Sequence, residues 1–132
     1  MVKVLDSSAL VAYLWKQSGY EKVQGLLSKA AESEKRLLMT TVNVGEVYYL
    51  LIRDHGLEEA DRIIQFIETL PIDFVPVDQE LAKQAAIYKA TKKLAYVDCF
   101  VAALAKLKKG ELVTADKEFK VIESEVKILW II

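Results

Sequence analysis

The chain has 132 residues, 53% of them hydrophobic, with 18 Lys and Arg against 19 Asp and Glu for a net charge of −1. A chain of this length buries roughly two thirds of the surface its unfolded form exposes, so it needs no disulfides, and its one cysteine, Cys99, could form none internally. Balanced charge excludes a strongly basic nucleic-acid coat, the composition excludes disorder, and no apolar run reaches the roughly 18 residues of a membrane span.

Residues 2–5 read as a short apolar strand, and Lys3 and Asp6 interrupt what would otherwise be a signal-peptide core. The expected location is therefore cytoplasmic. Residues 7–15 form a helix opened by Asp6 or Ser7 as N-cap. Residues 19–33 form a second helix, with Val23, Leu26, Leu27 and Ala30 on one face. "RLLMT" (36–40) is a strand, and 42–54 is an almost wholly apolar helix with Gly56 as a left-handed cap. Residues 58–69 form a helix stopped by Pro71, and "DFVPV" (73–77) is a strand. Asp78 caps a helix running to about Lys92. "YVDCFVAALAKLK" (96–108) is a helix whose buried stripe is Val97, Phe100, Val101, Leu104 and Leu107. "ELVTAD" (111–116) is a strand ending in Asp116, a short helix follows, and "KILWI" (127–131) is the last strand.

About five strands therefore alternate with helices. They lack polar alternation, as parallel strands covered on both faces do. The expected class is α/β with a central parallel sheet in one domain, residues 1–132. Ligands bind such sheets beyond the carboxyl ends of the strands, where Asp6 and Asp116 would stand. Each could also be a plain N-cap, although Ser7 and Ser8 could cap the first helix without a charge. Asp98 falls in a first helical turn, where the helix dipole alone favours an acid. Yet its surroundings are among the most apolar in the chain, and Ala102 and Ala105 one turn on would let a backbone or ligand approach. Glu46 lies mid-helix in "TTVNVGEVYYLLI" with no obvious surface face. The plain alternative for it is an ion pair with Arg53 or Arg36.

Four carboxylates near one point repel one another, and a bound cation relieves that. With a single histidine, His55, and a single cysteine, a zinc site is disfavoured. Hard oxygen ligands point to Mg²⁺ or Mn²⁺, and the fitting chemistry is metal-assisted phosphodiester hydrolysis.

The stretches "VLDSSAL", "NVGEV", "YVDCFVAALA" and "LVTADKEF", in this order and spacing, resemble the PIN-domain family, and more closely its VapC-type toxin ribonucleases. The resemblance implies a three-layer α/β/α sandwich and a Mg²⁺- or Mn²⁺-dependent endoribonuclease. Carried over by position, Asp6, Glu46, Asp98 and Asp116 would be the metal-binding and catalytic carboxylates. Thr114 would help position the site, and Asn43 matches a polar residue common at its place. It also implies a homodimer, a structured RNA substrate such as tRNA or rRNA, and a cognate VapB-like antitoxin lying across the active-site groove. Tyr13, Trp15, Tyr48 and Tyr49 are candidates for that groove, although core packing is the expected use for most of them. Two lysine groups, Lys89–Lys92–Lys93 and Lys106–Lys108–Lys109, are expected to be solvated helix ends.

Other α/β phosphate enzymes fit less well. A haloacid-dehalogenase-like phosphatase would need a second Asp where Ser8 stands. A receiver-type phosphotransfer domain would need an acidic pair near the first strand, where a single acid precedes two serines. No Gly-rich loop ending in Lys-Ser or Lys-Thr exists for a P-loop. The non-enzyme alternative is a PIN-like RNA- or protein-binding module whose acids hold a structural ion or cap helices.

Overall fold

The computed structural model describes residues 1–132. Five strands, β1 (Lys3–Leu5), β2 (Leu37–Thr40), β3 (Ile72–Val75), β4 (Glu111–Thr114) and β5 (Lys127–Trp130), form one sheet in the order β3-β2-β1-β4-β5. Every neighbouring pair is parallel. The helices are α1 (Ser7–Trp15), α2 (Tyr20–Ser33), α3 (Thr41–His55), α4 (Leu57–Ile67), α5 (Gln79–Thr91) and α6 (Tyr96–Leu107), with a 3₁₀ helix at Lys117–Ile122. No helix is long and apolar enough to cross a membrane.

The period of two in a strand separates the layers. Leu5, Leu37, Met39, Ile72 and Val113 face a core shared with α1 to α4. Val4 and Leu112 face the opposite core, shared with α5, α6 and the 3₁₀ helix. The result is the expected three-layer α/β/α sandwich. From β1 the chain winds outward through β2 to β3, then crosses to β4 on the other side of β1. The boundary between β1 and β4 is therefore the switch point where open α/β sheets leave a crevice.

Several strand ends differ from expectation for local reasons. Strand β3 ends at Val75 because Pro76 has no N–H to continue a ladder. Strand β4 ends at Thr114, short of Asp116, because the Thr114 hydroxyl accepts the Asp116 N–H at 2.9 Å and turns the chain. Gly56 does have positive φ, but at φ 85 and ψ 163 it is extended rather than left-handed helical. It serves as the last cap of α3 and the first of α4. Helix α6 departs further: every residue from Cys99 to Ala105 is buried, whereas Leu107, expected on the buried stripe, is exposed. Ala102 and Ala105 are covered by the protein itself, so their small size serves close packing and not ligand approach.

The amino edge of the sheet has an acid of its own. Glu111 is buried and held by Lys3 at 2.7 Å, with Lys127 at 3.7 Å. Burial acts to raise its pKa, but the two lysines bring it below the ordinary glutamate value.

Candidate functional site

At the carboxyl edge, the site begins with Asp6. It follows Leu5 of β1, and its N–H donates to Val113 of β4 at 3.1 Å. One carboxylate oxygen caps α1 by accepting the Ala9 N–H at 2.8 Å. The Ser8 hydroxyl donates to the same carboxylate at 2.8 Å and accepts the Ala115 N–H at 3.1 Å. Thr114 donates to the other Asp6 oxygen at 2.5 Å while accepting the Asp116 N–H. Two hydroxyls thus stitch the end of β1 to the end of β4. Asp116 in turn caps the 3₁₀ helix, accepting the Glu118 N–H at 2.9 Å.

Asp98 enters from the first turn of α6 and Glu46 from the middle of α3. Asp6, Glu46, Asp98 and Asp116 all line one cleft of about 400 Å³. The side chains of Glu46 and Asp98 make no hydrogen bond or ion pair. Arg36 and Arg53, the partners considered for Glu46, are taken by Asp73 at 2.6 Å and Asp54 at 2.9 Å. No ion pair of the protein involves any acid of the cleft.

The tightest grouping of carboxylates is Asp98, Asp116 and Glu118, whose ligand atoms lie within 4.8 Å of one another. Glu118 is a residue the sequence reading missed. No spacing in the sequence marks it, because its approach depends on the turn that the Asp116 cap starts. Ser8 was missed as a clamp as well, since its place suggested only a cap. The electrostatics agree with the geometry. Burial raises Asp98 to about 7, and the charges of Asp116, Asp6, Glu46 and Glu118 add to it. Burial raises Asp6 to about 6, against the hydrogen bonds from Thr114, Ala9 and Ser8, with the Asp116 charge adding to the rise. Both acids therefore hold protons far more readily than free aspartate does.

Asn43 does not line the cleft. It is fully buried one turn before Glu46, where it accepts from Thr40 and donates to the Ser7 hydroxyl at 3.2 Å. It fixes the start of α3 against the start of α1, and so fixes where Glu46 points. The aromatic candidates divide differently from expectation. Trp15 and Tyr49 are not core residues: they are 40% and 59% exposed. Trp15 stacks on His55 with ring centroids 5.5 Å apart, beside an apolar cleft that shares Val11 and Leu50 with the acid cleft.

The donor set is all oxygen, and neither His55 nor Cys99 lines the acid cleft. Such a cluster could hold a hard divalent cation. A model of the PIN domain family matches residues 3–125. No curated protein matches the sequence significantly. Among solved structures, VapBC2 from Rickettsia felis, bound to a promoter DNA fragment, superposes with TM-score 0.77 at 16% identity over 98% of each chain. VapBC-1 from nontypeable Haemophilus influenzae superposes with TM-score 0.73 at 19% identity, over 99% of this chain and 98% of that one. Mycobacterium tuberculosis VapC20, a sarcin–ricin loop cleaving toxin, gives TM-score 0.66 at 17% identity, over 89% and 92%.

Proposed function

The chain belongs to the PIN-domain family, and on that footing we propose that it is a divalent-metal-dependent endoribonuclease, built as one domain over residues 1–132. It acts as the toxin of a type II toxin–antitoxin pair. The observation that carries this reading is the convergence of Asp6, Glu46, Asp98 and Asp116 on one cleft without a cationic side chain among them.

Asp98, Asp116 and Glu118 would hold the ion, with Asp6 and Glu46 completing the acidic wall. A bound Mg²⁺ or Mn²⁺ supplies polarisation of a phosphoryl oxygen and a lowered pKa for the attacking water. The rest falls to the protein. Thr114 and Ser8 fix the Asp6 carboxylate so that no reorganisation accompanies the reaction. Glu46, free of internal partners, orients the water and accepts its proton at a carboxylate oxygen.

A structured RNA such as tRNA or rRNA is the substrate; that one structural relative is a sarcin–ricin loop cleaving toxin supports this. A VapB-like antitoxin is the partner, supported by the VapBC complexes among the structures of like fold. The exposed Trp15, in the cleft that shares Val11 and Leu50 with the acid cleft, suits an apolar segment of it. The working form is a homodimer, and light scattering at micromolar concentration should give twice the chain mass; monomer alone would remove that part of the proposal.

One observation favours the non-catalytic alternative: Asp6 and Asp116 both cap helices, as they would in a binding module. Glu46 and Asp98 cap nothing, which weighs against it. The deciding experiment incubates a mixed pool of structured RNA with purified protein in Mg²⁺, in Mn²⁺ and in chelator. Cleavage is expected only with metal, and Asp98→Asn and Asp6→Asn should each abolish it without unfolding the protein. Asparagine is as good an N-cap as aspartate, so Asp6→Asn removes the charge and keeps the cap. Full turnover in either variant would remove that residue from the chemistry.

A further inference from the structure

A second cleft, of about 680 Å³, adjoins the first and is lined by Lys89, Lys92, Lys93, Leu94, Ala95, Glu118 and Val121. Ala95 lines both clefts, and Glu118 belongs to the carboxylate group of Asp98 and Asp116. The two lysine groups of the sequence are thereby told apart. Lys108 and Lys109 follow the end of α6, whereas Asp98 lies in its first turn. A helix of that length separates its ends by about 18 Å, and the chain leads from Lys109 into the amino edge of the sheet. Only the group Lys89–Lys92–Lys93 borders the acids.

The three charges of that group are not equally free. Lys92 pairs with Glu125 at 3.1 Å. Lys89 donates to the Leu94 carbonyl at 3.0 Å and has no acid partner. Lys93 is exposed and makes neither a hydrogen bond nor an ion pair. Glu118 shares their cleft, yet no lysine pairs with it. Lys89, Lys93 and Glu118 thus share one cleft without an ion pair among them, and each is free for a charge from outside. A polyanion entering the acid cleft meets carboxylates there. Lys117, next in the chain to Asp116, is held by the Ile132 carbonyl at 2.8 Å and by the Trp130 ring, whereas Lys89 and Lys93 have no acid partner.

We propose that Lys89 and Lys93 form a shelf for the backbone phosphates that flank the phosphate drawn to the acid cluster. The inference rests on the ribonuclease reading of that cluster. Contacts of this kind set position and register and carry no base information.

The test compares wild type, Lys89→Ala/Lys93→Ala, Lys93→Ala alone, and Lys108→Ala/Lys109→Ala, each checked for an unchanged thermal melt. The probe is a fluorescein-labelled single-stranded 20-mer RNA of mixed sequence, bound with Ca²⁺ in place of Mg²⁺ and followed by anisotropy across a salt series. For single strands the slope of log K against log salt is about −0.7 per phosphate contact. The shelf double variant should therefore lose about 1.4 of that slope, and Lys93→Ala about half as much. The far-edge double variant, with the same change in net charge, should keep the wild-type slope. Equal loss in both double variants would mean general electrostatics and overturn the shelf. An unchanged slope in the shelf variant, or no RNA binding by wild type, would overturn it too. Binding as expected with no cleavage in Mg²⁺ or Mn²⁺ would instead sink the ribonuclease reading and leave the shelf standing.

Discussion

Thr114 is fully buried, and its single hydroxyl serves two acids, donating to Asp6 and accepting the Asp116 N–H. Its replacement by valine keeps the shape and removes both bonds. The Asp6 oxygen then keeps only the Ser8 hydroxyl as donor and the part-buried Asp116 N–H loses its acceptor, for about 1–3 kcal/mol in all. Thr114→Val should lower the urea midpoint accordingly. It should also weaken Mn²⁺ binding by about 10- to 100-fold, as loss of an outer-shell partner does. Calorimetric titration of the folded variant reads the second effect separately from the first. Thr114→Ser should restore both, because the hydroxyl and not the methyl is at issue. A Thr114→Val protein that binds Mn²⁺ as wild type does would remove the residue from the site. The family resemblance implied only that Thr114 helps position the site, and did not name Asp6 as its partner. Nothing in "LVTAD" itself says which way a threonine hydroxyl points. Glu118 was illegible for a related reason: its approach to Asp98 depends on the 3₁₀ turn that Asp116 starts, and "KEF" alone reads as an ordinary exposed helix start.

At the scale of elements, the sequence was clearest where a pattern had only one physical outcome. Asp78 before "QELAKQAA" is the N-cap expected there, and at the first helix, where Asp6 and Ser7 were both open, Asp6 takes the cap by accepting the Ala9 N–H. The parallel order was legible in strands such as "LVT" that are apolar on both faces. Helix α6 shows where legibility fails. A stripe can be read only when polar residues mark the other face, and from Cys99 to Ala105 none does. That stretch is buried all round, so its alanines are packing residues. Ala102→Leu should therefore overfill the core and cost about 1–3 kcal/mol, read as a fall in the urea midpoint at unchanged slope. A stability equal to wild type would mean that α6 has the open side first expected of it.

Across the whole molecule the two edges of the sheet treat buried acids in opposite ways. At the amino edge Glu111 is neutralised by Lys3 and Lys127. At the carboxyl edge Asp6 and Asp98 are raised to about 6 and about 7, by burial first and by the Asp116 charge beside both. The sign of the pH dependence follows. Between about pH 4 and pH 7 the folded protein keeps protons on these two acids that the unfolded chain has released. Metal-free stability must then fall as pH rises through that window. The direction is opposite to that of an acid in a salt bridge, whose stabilisation is lost as pH falls. A cation at the cluster needs the ionised carboxylates, so its effect grows over the same window. A ligand that binds only the folded state stabilises by about 2.7 kcal/mol at a hundredfold excess over its Kd, which is several degrees in Tm for a chain of this length. Melting curves at pH 5, 6, 7 and 8 should thus diverge: in chelator Tm falls with pH, and in millimolar Mn²⁺ the fall is cancelled or reversed. At pH 5 the two conditions should nearly coincide. If Mn²⁺ raised Tm equally at pH 5 and pH 8, its site would lie away from Asp6 and Asp98, and the carboxyl-edge acids would lose their claim to the metal.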